Sequence, residues 1–475
     1  MTVVALALWR ALAGLWRGAS ARGVPRDQEG SGHLRSVVVR MPRPCRALLL
    51  LALAGATAAP LPSALYFTRH DLPLSAGVCT DGSSSTFYAR NCSANWDSHS
   101  GIDYCPKGGP ADPIRYIVVF AGEDVRPLLD VTSSPGPLAW DGSGSHCYSA
   151  ASCASRSPNL TSSAGLPAAA LPGGILSPYA EVNPNNYKAP MALVPYCSSD
   201  LWAGSTPLQP GPGPHFQGQR IALSVLAALA ALPLRASLRS ADEVVLVGPP
   251  GVAALPALAA AAGLLKPGAA VTFVCDGCAL LPAPLPLPLP PPPCTTDANC
   301  PPHASLPLAA ALWAMPRPPA QACAAQLPAW QCLTAPALLG APWGGPGSPR
   351  LLLSAQGGDA RAAAAYGRDA GVAAALGAAL RGAVAAAYAA GGGVLARQGS
   401  AVFLSRACAA PSALALHADA YYAQRSGACR DGAGDLRNDT LAQVLDAAAE
   451  CREQGVPADF CVTCWEGSGE ETCVA

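Results

Sequence analysis

The chain has 475 residues, and Lys plus Arg equals Asp plus Glu at 30 each, so its formal net charge is zero. About half of its residues are apolar (51%) and only 13% are charged, which excludes a disordered or solvating chain and supplies enough apolar surface for a full core. No basic field exists to hold nucleic acid by charge, and that partner class is set aside.

Residues 1–40 are Arg-rich with a short apolar stretch of their own, and read as an upstream extension or a misplaced start. Residues 41–59 have the pattern of a signal peptide: basic Met41-Pro-Arg-Pro-Cys-Arg46, the apolar run Ala47 to Ala54, then small residues to a cut near Ala59. That run is far shorter than the ~20 residues needed to span a bilayer, so no stable membrane span is expected in the mature chain. Of 19 cysteines, Cys45 falls in this leader, and the even remainder from Cys79 to Cys473 reads as a disulfide framework on an exported chain. A zinc reading of Cys275-Asp-Gly-Cys278 and Cys461-Val-Thr-Cys464 lacks a second pair at finger spacing, and no metal or other cofactor is expected. Asn91, Asn159 and Asn438 each head an N-glycosylation sequon.

Along residues 60–475, Ile114 to Phe120 is β-branched and aromatic and predicts a buried strand; Met191 to Pro195, Val244 to Val247, Val271 to Val274 and Leu351 to Leu353 predict others. Between them, Gln217 to Leu232 repeats apolar residues at helical spacing, and 255–265 and 360–390 are Ala-rich helical stretches. Strands alternating with helices predict one α/β domain, a mostly parallel sheet flanked by helices. The run 281–293 is almost pure Pro and Leu, an extended insertion outside the sheet. The region after Cys429 reads as a disulfide-tied extension of the same domain.

The most specific stretch is Gly174-Ile-Leu-Ser177, Asn183-Pro184 and then Val194-Pro-Tyr-Cys-Ser-Ser-Asp-Leu-Trp-Ala-Gly204. It resembles the pectin acetylesterase/Notum carboxylesterase family, secreted α/β-hydrolase-like proteins that cleave esters and carry a loop of the form PYCSSDxWxG beside the active site. Cys79-Thr-Asp-Gly-Ser83 resembles the family's early CxDGS turn, Cys147 to Cys153 its paired cysteines after the oxyanion loop, and His215-Phe-Gln-Gly-Gln-Arg220 the segment that opens a helix. The resemblance implies a cleft lined by Cys197, Ser198, Ser199, Asp200 and Trp202.

An esterase of this type needs a serine on a sharp strand-to-helix turn. The family writes that turn GxSAGG, and here Gly248-Pro-Pro-Gly251 occupies the slot, with Pro250 where the serine belongs. The family's late CxxH histidine corresponds to Pro411, while His417, six residues on, reads as a surface residue. Asp359, after the strand at Leu351, is the candidate residual acid. In the oxyanion loop the family's Trp is replaced by His146, and backbone amides at Ser145, His146 and Gly251 are the candidate oxyanion donors.

With nucleophile and base positions both reading proline, the resemblance implies a degenerate triad and a catalytically inactive secreted homologue that keeps a ligand-binding cleft. Expected ligands are a cell-wall polysaccharide, an acylated glycan or an acylated protein, met outside the cell in wall or matrix. The alternatives are an active carbohydrate O-acyl esterase with a rearranged or misannotated site, and a structural matrix protein suggested by the Pro-rich run.

Overall fold

The computed structural model describes residues 67–90, 113–122, 146–179, 183, 186–208, 213–233, 237–276, 280–282, 300–316, 327–340 and 350–356, with helical fragments over 375–386 and short strands at 401–405, 429–430 and 436–437. The chain divides into two units, Met1–Leu61 and Pro62–Ala475, and every described residue belongs to the second.

The strands are β1 Phe67–Asp71, β2 Thr86–Arg90, β3 Arg115–Phe120, β4 Ala169–Ala170, β5 Met191–Val194, β6 Glu243–Gly248, β7 Ala270–Asp276, β8 Arg350–Gln356 and β9 Ala401–Ser405, with a separate hairpin of β10 Cys429–Arg430 and β11 Leu436–Arg437. The main sheet runs in the order β4-β1-β2-β5-β3-β6-β7-β8-β9. From β5 to β9 every neighbouring pair is parallel, while β4, β1 and β2 form an antiparallel flank. The α/β expectation therefore holds, and the antiparallel flank is an addition to it.

Central strands of a parallel sheet are covered on both faces and so read as unbroken apolar runs. Val244 to Val247 in β6 and Ile117 to Phe120 in β3 are buried without alternation, as that position requires. Their register is pinned at the entry end, where Arg115 pairs Glu243 in the ladder and Arg115 Nε donates to the Glu243 carboxylate at 2.7 Å.

Helices α1 Ala150–Ala154, α2 Pro158–Thr161, α3 Gly218–Ala230, α4 Leu255–Ala261, α5 Pro302–Leu312 and α6 Ala335–Gly340 connect and cover the strands. Helix α3 buries Ile221, Ala222, Val225, Leu226 and Leu229 against the main core. A second, smaller core gathers Cys147, Leu201, Ala203, Phe216, Leu280, Leu306, Ala309, Trp313 and Leu333. Disulfides join Cys79 to Cys197 and Cys147 to Cys153. Among the described residues no helix is long and apolar enough to cross a membrane.

Candidate functional site

In open α/β sheets, ligands bind outside the carboxyl ends of the parallel strands. At that rim β5 runs into the loop 195–204, and β6 runs into the turn at 249–251, a 3-10 turn over Pro250–Ala254 and then α4. The strand–turn–helix that a nucleophile needs is thus built, with Pro250 as the first residue of the 3-10 turn.

The local backbone differs from a strained elbow. The non-glycine residues with positive φ among the described residues are Ser199 (54°), Leu201 (54°), Trp202 (63°) and Ala314 (46°), and residue 250 is not one of them. Proline holds φ near −65°, and Pro249 before it sits at φ −67°, so the Pro-Pro pair enters a 3-10 turn without left-handed strain. The strain lies instead in the facing loop, where three residues in four positions are left-handed.

That loop is organised around Asp200, which is fully buried. Its Oδ1 accepts from Ser198 Oγ (2.6 Å) and the Trp202 amide (3.0 Å), and its Oδ2 from the Gly204 (3.1 Å) and Gly218 (2.7 Å) amides. Burial pushes the carboxyl up to about 6, against the pull of these hydrogen bonds. Trp202 Nε1 donates to the Ala121 carbonyl beyond β3 at 2.7 Å, and the Leu201 amide donates to Tyr196 Oη at 2.7 Å. Cys197 is tied to the CxDGS turn by its disulfide and by the Thr80 amide on its carbonyl at 2.9 Å. Ser199 Oγ donates to the Leu160 carbonyl at 3.3 Å.

The side chains of Cys197, Ser198, Ser199, Asp200 and Trp202 are therefore interior. In place of the lining expected of them, they form the support behind the rim. Gly251 shows how closely: a Cβ there would collide with the Leu201 carbonyl and approach the Ala203 nitrogen at 2.8 Å. The recess at the turn is lined by Pro250 and Gly251, with Gln219 from α3 and Met315, Pro316 and Leu333 from the opposite side. It measures about 10 Å³, at the threshold for a single water.

His146 is 7% exposed and adds an antiparallel bridge to Asp200. Its Nε2 lies 2.9 Å from Ser305 Oγ on α5, and its ring meets Trp313 edge-on at 5.5 Å. Ser145, Asp359, Pro411 and His417 lie outside the described residues, as do Asn91 and Asn438. Asn159 is exposed on α2. Sequence reasoning missed Asp276, a buried carboxylate closing β7 one residue after Cys275, which pairs with Gly248. It also missed Ser305. The signal for Asp276 was its place after Val271 to Val274; for Ser305, inside an Ala/Leu/Pro-rich helix, there was none.

The family model described as Pectinacetylesterase matches residues 139–284. The inactive palmitoleoyl-protein carboxylesterase notum1b of Danio rerio is 46% identical over 67 residues, 14% of this chain and 48% of that protein. The palmitoleoyl-protein carboxylesterase NOTUM of Schmidtea mediterranea is 29% identical over 160 residues, 33% of this chain and 23% of that one. The chain thus spans about half, or less, of the length of the curated relatives it matches. The crystal structure of the Wnt deacylase Notum from Drosophila shares the fold, with a TM-score of 0.52 at 20% identity over 85% of this chain and 97% of that one. The matched segment contains the loop around Asp200, strand β6 and its turn, so the candidate site lies within the stretch in which the chain resembles the pectin acetylesterase/Notum family.

Proposed function

We propose that this protein is a secreted member of the family that hydrolyses no ester and acts by binding. The observation that carries the reading is Pro250 at the turn between β6 and α4. Proline offers no hydroxyl to attack a carbonyl, and losing a triad member removes several kcal/mol of transition-state stabilisation. The Danio rerio relative is described as inactive, which is consistent with this. The other curated relatives are described as palmitoleoyl-protein carboxylesterases, so an acylated protein is the favoured ligand class, ahead of an acylated glycan or wall polysaccharide. Export is supported by the leader-like residues 41–59 and by disulfides such as Cys79–Cys197 and Cys147–Cys153. A fluorophosphonate probe, which labels activated serines, should leave the purified protein at its unmodified mass, and an adduct on any serine overturns the reading.

A second reading, an esterase with reassigned roles, draws on the 2.9 Å approach of His146 Nε2 to Ser305 Oγ, the geometry of a serine beside a general base. Against it, Ser305 is 1% exposed and its hydroxyl also donates to the Pro301 carbonyl at 3.3 Å. Peptide mapping after the same labelling separates the two, because this reading requires the adduct on Ser305.

A further inference from the structure

Helix α5 leads into Met315 and Pro316, which line the recess beside Pro250, and its inner face packs in the second core rather than in that of the sheet. Its inner face presents Ser305, Leu306, Ala309 and Trp313, all buried, and the three apolar ones belong to the second core. Its outer face leaves Pro307, Leu308 and Ala311 exposed. Among the described contacts, His146 Nε2 lies 2.9 Å from Ser305 Oγ, Trp313 Nε1 donates to the Cys147 carbonyl at 2.9 Å and the Ser205 amide donates to the Trp313 carbonyl at 3.0 Å, while Cys300, just before the helix, is disulfide-bonded. Directly after Trp313 the chain turns through Ala314 at φ 46°, a conformation alanine adopts only under constraint, and this delivers Met315 and Pro316 onto the recess.

The helix is also weak in itself. Pro307 lies inside it and removes one backbone donor, and Pro301 and Pro302 begin it with no side-chain cap. Most of its stability therefore comes from the inner-face contacts. A segment with few buried apolar contacts and its own small core opens at lower free energy than a central strand. By contrast β6, at the middle of the sheet, is buried on both faces.

We propose that α5 and the Met315-Pro316 segment it carries form a latched cap, fastened by His146 to Ser305, that covers the recess at Pro250 and opens as a unit while the sheet stays folded. The inference rests on the binding reading, for which the cap governs access to the recess. At the position where the family carries an oxyanion-loop tryptophan, His146 has become a fastener.

Hydrogen–deuterium exchange of the unmodified full chain, in urea concentrations below the unfolding transition, tests this without any ligand or chemistry. Amides of 303–315 should exchange at least tenfold faster than those of 244–247, through an opening that urea affects less steeply. Ser305→Ala should speed exchange in 303–315 further, leave 244–247 unchanged, and raise binding of the apolar dye 1-anilinonaphthalene-8-sulfonate. Trp313→Phe, which keeps the packing and removes the donor, should act in the same direction. Equal exchange in the two segments of the unmodified chain, or a uniform rise across both in the variants, overturns the cap. Neither result depends on whether the protein hydrolyses an ester, so failure here is distinguishable from failure of the inactive reading.

Discussion

The Asp200 carboxylate accepts the Gly218 amide at 2.7 Å, so a loop residue eighteen positions upstream caps the first residue of α3. The helix supplies no side-chain cap of its own at Gln217, and its N-terminus is satisfied from across the fold. Asp200→Ala strips the partner from one hydroxyl and three buried amides at once. We expect a loss of about 3 kcal/mol or more, read as a lowered urea midpoint or as failure to accumulate folded protein.

The same carboxylate sets a pH dependence. Its folded value, pushed up to about 6 by burial, lies above the 3.8 of the unfolded chain. The folded state therefore binds the proton more tightly, and the stability this contributes is fully present below about pH 3.8 and lost as pH rises through about 6. Asp200→Asn, which cannot titrate, should flatten that part of the profile. The check is the difference in urea-unfolding free energy between wild type and variant from pH 4 to 7.5: wild type should gain on the variant as pH falls.

Gly251 is required by close approach rather than by a turn. Gly251→Ala drives a methyl into the Leu201 carbonyl and should cost about 2–3 kcal/mol, because backbone on both sides must shift. Gly213→Ala, with nothing within 4 Å, should be near neutral, and paired urea melts compare the two.

Restoring the missing hydroxyl should not restore chemistry. Pro250→Ser supplies an oxygen on a residue that begins a 3-10 turn, beside a recess of about 10 Å³. The variant should fold and stay unlabelled by a fluorophosphonate, and its conversion to a labelled protein would mean the turn is already a working elbow.

Asn159 stands exposed next to buried Leu160, which anchors the one-turn helix that carries it. If the chain is exported, Asn159→Gln should remove one glycan, seen as a mass decrease that glycosidase treatment of wild type reproduces.

The parallel half of the fold was legible because two-sided burial writes itself as apolar runs, as in Val244 to Val247 and Ile117 to Phe120. Strands β1 and β2 were not, since Phe67-Thr-Arg-His-Asp71 and Thr86-Phe-Tyr-Ala-Arg90 mix charge and bulk on an antiparallel flank and show neither a clean run nor clean alternation. The loop 194–204 stood out in sequence, but its job did not: Ser, Ser and Asp look like cleft chemistry, and only the hydrogen bonds of Asp200 reveal them as support. Pro250 stood out because the resemblance puts the family's serine between Gly248 and Gly251, and the structure shows a strand-to-helix turn at that place.

The most direct test of the central claim is hydrolysis of a generic acetyl ester by the purified chain, followed with and without fluorophosphonate pretreatment. The account predicts no turnover above the buffer rate in either case. Turnover that the probe abolishes would contradict it.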